Sequence, residues 1–135
     1  MPVVTRLLSL YLMLVGLAVA VHFIAVAWYH PGGDEPYPVW EVLDWFMAVA
    51  IVIALIGAFV HKRRHDAADD TGVLEHISVN AVFYGTLGVG ILFFWNWSHL
   101  LRDTGDADWL IWNFIDVALP LVLVAAGRRL WRASA

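Results

Sequence analysis

The 135-residue chain has no cysteine. That excludes disulfides, thiolate-bound zinc, iron–sulfur clusters and thiol catalysis. Charge is scarce as well. Asp, Glu, Lys and Arg make up 15% of the residues, against about 25% in soluble domains. The formal net charge of -4 and the pI near 5.8 argue against nucleic acid as a partner. There is no Gly-rich phosphate loop, no H-E-x-x-H and no G-x-S-x-G, the short motifs that would announce nucleotide, zinc-protease or serine-hydrolase chemistry. No polar segment is long enough to separate domains, and no internal repeat or low-complexity tract is present. Residues 1–135 therefore read as one domain.

What fills the chain is apolar. Hydrophobic residues reach 61% and mean hydropathy is +0.73, too great an excess for a water-soluble core of this length. A membrane helix needs about 20 mostly apolar residues. Four stretches qualify: 7–29, 40–61, 73–101 and 108–127. None alternates as a membrane barrel strand would. The first connection holds Pro31, Gly32, Gly33, Pro36 and Pro38 and cannot be helical. Ala18-Val19-Ala20 resembles a signal-peptide cleavage site, but the apolar run continues to Tyr29, so a retained helix is expected. The expected fold is an all-α integral membrane protein, an antiparallel bundle of four transmembrane helices.

Basic residues orient such a bundle. Arg6, Lys62, Arg63, Arg64, Arg128, Arg129 and Arg132 fall on one side of four spans, and Arg102 alone on the other. Both termini are expected to be cytoplasmic, in a bacterial inner (plasma) membrane. Trp28, Trp40, Trp45, Trp95, Trp97, Trp109 and Trp112 lie near the opposite, outer helix ends, and Trp131 at the inner end. Indoles favour the headgroup level, so an aromatic belt explains most of them. Seven on one side is lopsided, which leaves some to contact a partner or line a site.

Small residues let helices approach closely in lipid. Ser9, Gly16, Ala20 and Ala27 in the first span, Ala50, Ala54 and Gly57 in the second, and Ser78, Ala81, Gly85 and Gly88 in the third are read as packing seams. Pro120 removes a hydrogen bond to the carbonyl of Asp116 and is expected to kink the fourth span.

Ionisable and amide groups within a span are expensive, and here they gather in the outer half. His22 is expected ~10 Å below the outer end of its helix, Asp44 ~6 Å, Asn96 ~8 Å, His99 ~3 Å, Asn113 ~8 Å and Asp116 ~12 Å. All four helices supply this layer. One reading is structural, interhelical hydrogen bonding that fixes the bundle. A second is a metal site using His22, Asp44, His99 and Asp116, for which imidazole suits copper, zinc or iron. A third is b-type haem on His22 and His99. A fourth is a proton pathway or small transporter centred on Asp116. Asn96, Asn113 and Trp109 are read as the polar layer or as partner contacts. At the inner end His61 and His65 are read as solvated, Glu75 as favourable to the helix dipole, and Asn80 as lying deeper and needing a partner. The Lys62-Arg63-Arg64 run reads as a topology signal and an anionic-lipid contact.

With no soluble domain and no catalytic motif, the leading expectation is a small non-catalytic subunit of a larger membrane complex, redox or respiratory. Its partners would be larger membrane subunits and the lipid bilayer. A metal- or haem-binding redox protein and a small transporter are the alternatives.

Overall fold

The computed structural model describes residues 1–135 and is all-helical. Helices α1 (Pro2–Tyr29), α2 (Pro38–Asp66), α3 (Val73–Leu101) and α4 (Trp109–Ala133) follow one another with short connections. All four are long and apolar enough to cross a membrane. Three exceed the stretches that hydropathy marks. α1 begins at Pro2 rather than at residue 7, α2 runs to Asp66 rather than to 61, and α4 runs to Ala133 rather than to 127. Hydropathy reports only the part suited to hydrocarbon. Helical hydrogen bonding continues through Arg63, Arg64, Arg128 and Arg132 because charged side chains do not break it. Proline opens α1 and α2 at their first turns, where its missing N–H costs nothing.

Neighbouring helices run antiparallel. On α1 and α4, Ser9 Oγ donates to the Gly127 carbonyl at 2.6 Å, while Gly16 faces Pro120 and Leu123. On α2 and α3, Trp45 meets Trp97 and Phe59 meets Phe83. On α3 and α4, Phe93 meets Trp112 and Ser78 meets Arg129. α2 touches α4 across the short diagonal of the bundle, whereas α1 and α3 do not touch. One end therefore carries the α1–α2 and α3–α4 loops and is called the loop end. The other carries both chain termini and the α2–α3 connection and is called the terminal end. One core cluster unites Leu12, Val19, Met47, Ile51, Phe93, Ile115, Leu119 and Leu123.

The seams fall partly where small residues predict. Ser9, Gly16, Ala50 and Ala54 are buried. On α3 the expectation fails: Ser78, Ala81 and Gly88 are exposed, and the packed face is Val79, Thr86, Val89, Gly90, Phe93, Asn96 and Trp97. That face combines large aromatics, Phe93 and Trp97, with a close approach at Gly90, where an added Cβ would stand 3.0 Å from Ile51 Cγ2. The tightest contact is between α1 and α4. A Cβ on Gly127 would stand 2.8 Å from Met13 Cγ and 3.0 Å from the Ser9 carbonyl oxygen.

Gly127→Val should lower stability in micelles by about 1–3 kcal/mol through overpacking. Gly88→Val, where an added Cβ meets nothing within 4 Å, should change it little. Thermal unfolding of both variants side by side checks this; equal melting temperatures would count against the α1–α4 seam.

Candidate functional site

At the loop end, α2, α4 and the end of α3 enclose a cavity of about 280 Å³. Its walls are aromatic: Tyr37, Trp40, Trp109 and Trp112. Pro36, Leu100 and Ala107 complete the apolar part, and the acidic groups are Glu41, Asp44 and Asp116. No Lys, Arg or His lines it. Glu41 and Asp44 stand one turn apart on α2, and Asp116 enters from α4.

The two deeper carboxylates are buried. Asp44 is 3% exposed and Asp116 7%. Neither has an ion-pair partner, and Asp116 Oδ1 is buried with no hydrogen-bond donor. Pro120, one turn beyond, has no N–H to donate to the Asp116 main-chain carbonyl. Two acceptors of one residue thus lack their usual donors. Beyond the carboxylates the interior closes with Met47, Ile51, Leu119 and Leu123, each at most 1% exposed.

Aromatic contacts tie the walls together. Tyr37 stacks on His30 at 3.7 Å, with the rings 1° from parallel, and leans on Trp109 at 5.3 Å. His30 Nε2 also reaches the carbonyls of Glu35 and Pro36, which folds the proline-rich α1–α2 loop against the cavity. Trp40 receives the edge of His22 at 4.5 Å.

The predicted layer divides into three groups. Asp44 and Asp116 come together at the cavity. His22 and His99 do not join them. His22 Nε2 bonds the Tyr29 hydroxyl on its own helix. His99 Nδ1 bonds Thr104 Oγ1 at 2.9 Å and lies 3.9 Å from Asp106, so it serves the α3–α4 loop. No three His, Asp or Glu residues converge in a group that could hold a metal. The four-ligand set His22, Asp44, His99 and Asp116 is therefore corrected, because helix rotation turns each imidazole toward a local hydroxyl. In the His22–His99 pair each imidazole keeps one nitrogen outside these bonds, His22 Nδ1 being buried without a partner.

Asn96 and Asn113 also separate. Asn96 is fully buried and grips the Asp108 backbone twice: Nδ2 donates to its carbonyl at 3.0 Å, and Oδ1 accepts its N–H at 2.8 Å. Asp108 in turn caps α4, accepting from Leu110 and Ile111. Asn113 is exposed. It leaves the polar layer it was expected to share with Asp116: a three-residue step rotates about 300° on a helix, enough to carry Asn113 out of the interior.

At the terminal end, His61 lies 3.4 Å from Glu75, and Arg129 lies 3.3 Å from the same carboxylate. His65 is buried rather than solvated, because its Nε2 meets His76 Nδ1 at 3.2 Å. Asn80 Nδ2 donates to the His76 carbonyl at 2.9 Å.

Sequence reasoning missed Tyr37, Trp40 and Trp112 as cavity walls. The lopsided tryptophan distribution was the signal for them, but it could not separate lining rings from outward-facing ones such as Trp28, 87% exposed. No family model matches the chain, and neither a curated protein nor a solved structure does so.

Asn96→Ala should cost about 1–3 kcal/mol by leaving the Asp108 backbone unpaired, and should speed amide hydrogen exchange over residues 104–111. Unchanged exchange there would show that the α3–α4 loop does not depend on this clamp.

Proposed function

We propose that this chain is an integral membrane protein that binds a small organic cation in the loop-end cavity and moves it, or a proton exchanged for it, through a pathway centred on Asp116. The observation that carries this reading is the Asp116 carboxylate, buried at the foot of an aromatic cavity with an unpartnered oxygen. An unpaired ionised carboxylate in such a place is costly. A bound cation or a proton removes that cost. Tryptophan and tyrosine faces attract cations, more strongly once water is excluded. Asp44 adds a second carboxylate and Glu41 an acidic entrance, with no basic side chain to oppose them.

Orientation follows the basic residues. Seven of eight sit toward the terminal end, so that end is cytoplasmic and the cavity opens outward, by the positive-inside rule. A bacterial inner membrane suits this arrangement.

Tetraphenylphosphonium serves as the probe, with triphenylphosphine oxide as a neutral control. The wild-type chain should show saturable tryptophan quenching by the cation and none by the control. Asp116→Asn should weaken binding by about 10–100-fold, the loss expected for a charge-assisted contact. In proteoliposomes the same variant should abolish cation-driven proton flux. Full retained binding and flux in Asp116→Asn would reject the reading.

A second reading, a non-catalytic subunit of a larger membrane complex, draws support from Asn113. This amide is exposed on α4 between Leu110, 77% exposed, and Phe114 and Val117, 56% and 55% exposed. A polar group on an apolar helix face favours a partner helix that can bond it. The chain has no cysteine, so Asn113→Cys introduces a unique crosslinking site. In native membranes it should crosslink to a larger subunit on this reading; recovery of the uncrosslinked monomer alone would count against it.

A further inference from the structure

Two cavities adjoin at the terminal end. The first, about 400 Å³, lies among the helices and is mostly apolar, reaching Ile53 and Ala54 on α2. The second, about 510 Å³, is mostly polar and is bordered by Arg128, Arg129 and Arg132. Both share His61, Val82, Arg129 and Ala133, so they form one continuous recess with an apolar body and a basic mouth.

The charges at the mouth are unequally satisfied. Arg129 is held by Glu75 and Ser78. Arg64, Arg128 and Arg132 have no carboxylate partner. Arg128 and Arg132 stand four residues apart and share a helix face, close enough for two guanidinium groups to grip one phosphate. From Ile53 to Arg64 the recess follows α2 for ~16 Å, about half of a ~30 Å hydrocarbon core. An apolar slot one leaflet deep beneath unpaired arginines has the shape and charge of a single lipid.

We propose that this recess is a binding site for an anionic phospholipid. The phosphate sits on Arg128 and Arg132, and an acyl chain lies along Ile53, Gly57 and Val82. A free phosphate would satisfy the arginines and leave the apolar body empty. A zwitterionic lipid would fill the body but bring a cation to the basic mouth. Only an anionic lipid answers both halves. The site rests on membrane insertion and is independent of the cation cavity at the other end.

The test is native mass spectrometry of the intact chain, released from nanodiscs containing phosphatidylglycerol and phosphatidylcholine with identical acyl chains. One phosphatidylglycerol should be retained about tenfold over phosphatidylcholine, and Arg128→Gln with Arg132→Gln should abolish that preference, as loss of charge-assisted contacts requires. Lys62→Gln, a residue paired with Asp66, should leave it intact. Val82→Trp, which narrows the body without altering charge, should reduce retention. Equal retention of the two lipids by the wild-type chain, persistence of the preference in the double arginine variant, or full displacement of the lipid by inorganic phosphate would each overturn the proposal. The arginine pair is exposed, so the double variant is expected to fold even where Val82→Trp does not.

Discussion

The close approach of α1 to α4 is the contact on which the remaining architecture depends. Lipid supplies no hydrophobic drive between helices, so backbone proximity and interhelical hydrogen bonds must hold them together. Gly16 and Gly127 permit that proximity, and the Ser9 hydroxyl converts it into a hydrogen bond to a main-chain carbonyl. With α1 set against it, α4 has one rotation. That rotation sends Ile115, Asp116, Leu119 and Leu123 inward and leaves Leu110, Asn113 and Phe114 outside.

α4 then organises both ends. At its start, Asn96 and Asp108 form a relay in which a buried amide holds a backbone and that residue's carboxylate caps the helix. This frees the first turns to present Trp109 and Trp112 to the cavity without fraying. At its far end, Arg129 crosses to Glu75 and Ser78 on α3. Between them Pro120 interrupts the ladder next to Asp116, whose buried Oδ1 no donor reaches. The polar groups that look alike in sequence therefore do different work. Asn96 and His99 hold a loop, His22 braces an aromatic wall, and Asp44 and Asp116 are left without partners.

Much of the architecture was legible in the chain. Four apolar runs separated by proline, charge or glycine admit few alternatives, and their lengths fix the number of helices. Helix rotation was not legible. α3 carries a row of small residues, Ser78, Ala81, Gly85 and Gly88, on one side and Val89, Phe93 and Trp97 on another. Either could pack, and the buried face is the one that holds Thr86, Gly90 and Phe93. The same ambiguity undid the four-ligand grouping. Depth along a helix follows from counting residues, whereas direction around it depends on neighbours. Asp44 and Asp116 were found because burial at that depth is informative by itself. Tyr37 was not, because it belongs to a loop whose path is set by His30.

The loop-end cavity and the terminal-end recess lie along the same two helices. Asp44 and Ala54 are on α2, Asp116 and Ala126 on α4, and core residues including Met47, Ile51, Leu119 and Leu123 stand between the two openings. A shift of α2 against α4 would act on both openings, with Pro120 on α4 lying between them. Linkage between two such sites, where it exists, is reciprocal. Were both proposed sites occupied, any effect of a molecule among the arginines on affinity at the carboxylates would be matched by the converse effect. On the two proposals together, bilayer composition would act as a regulator of the protein rather than only as its solvent.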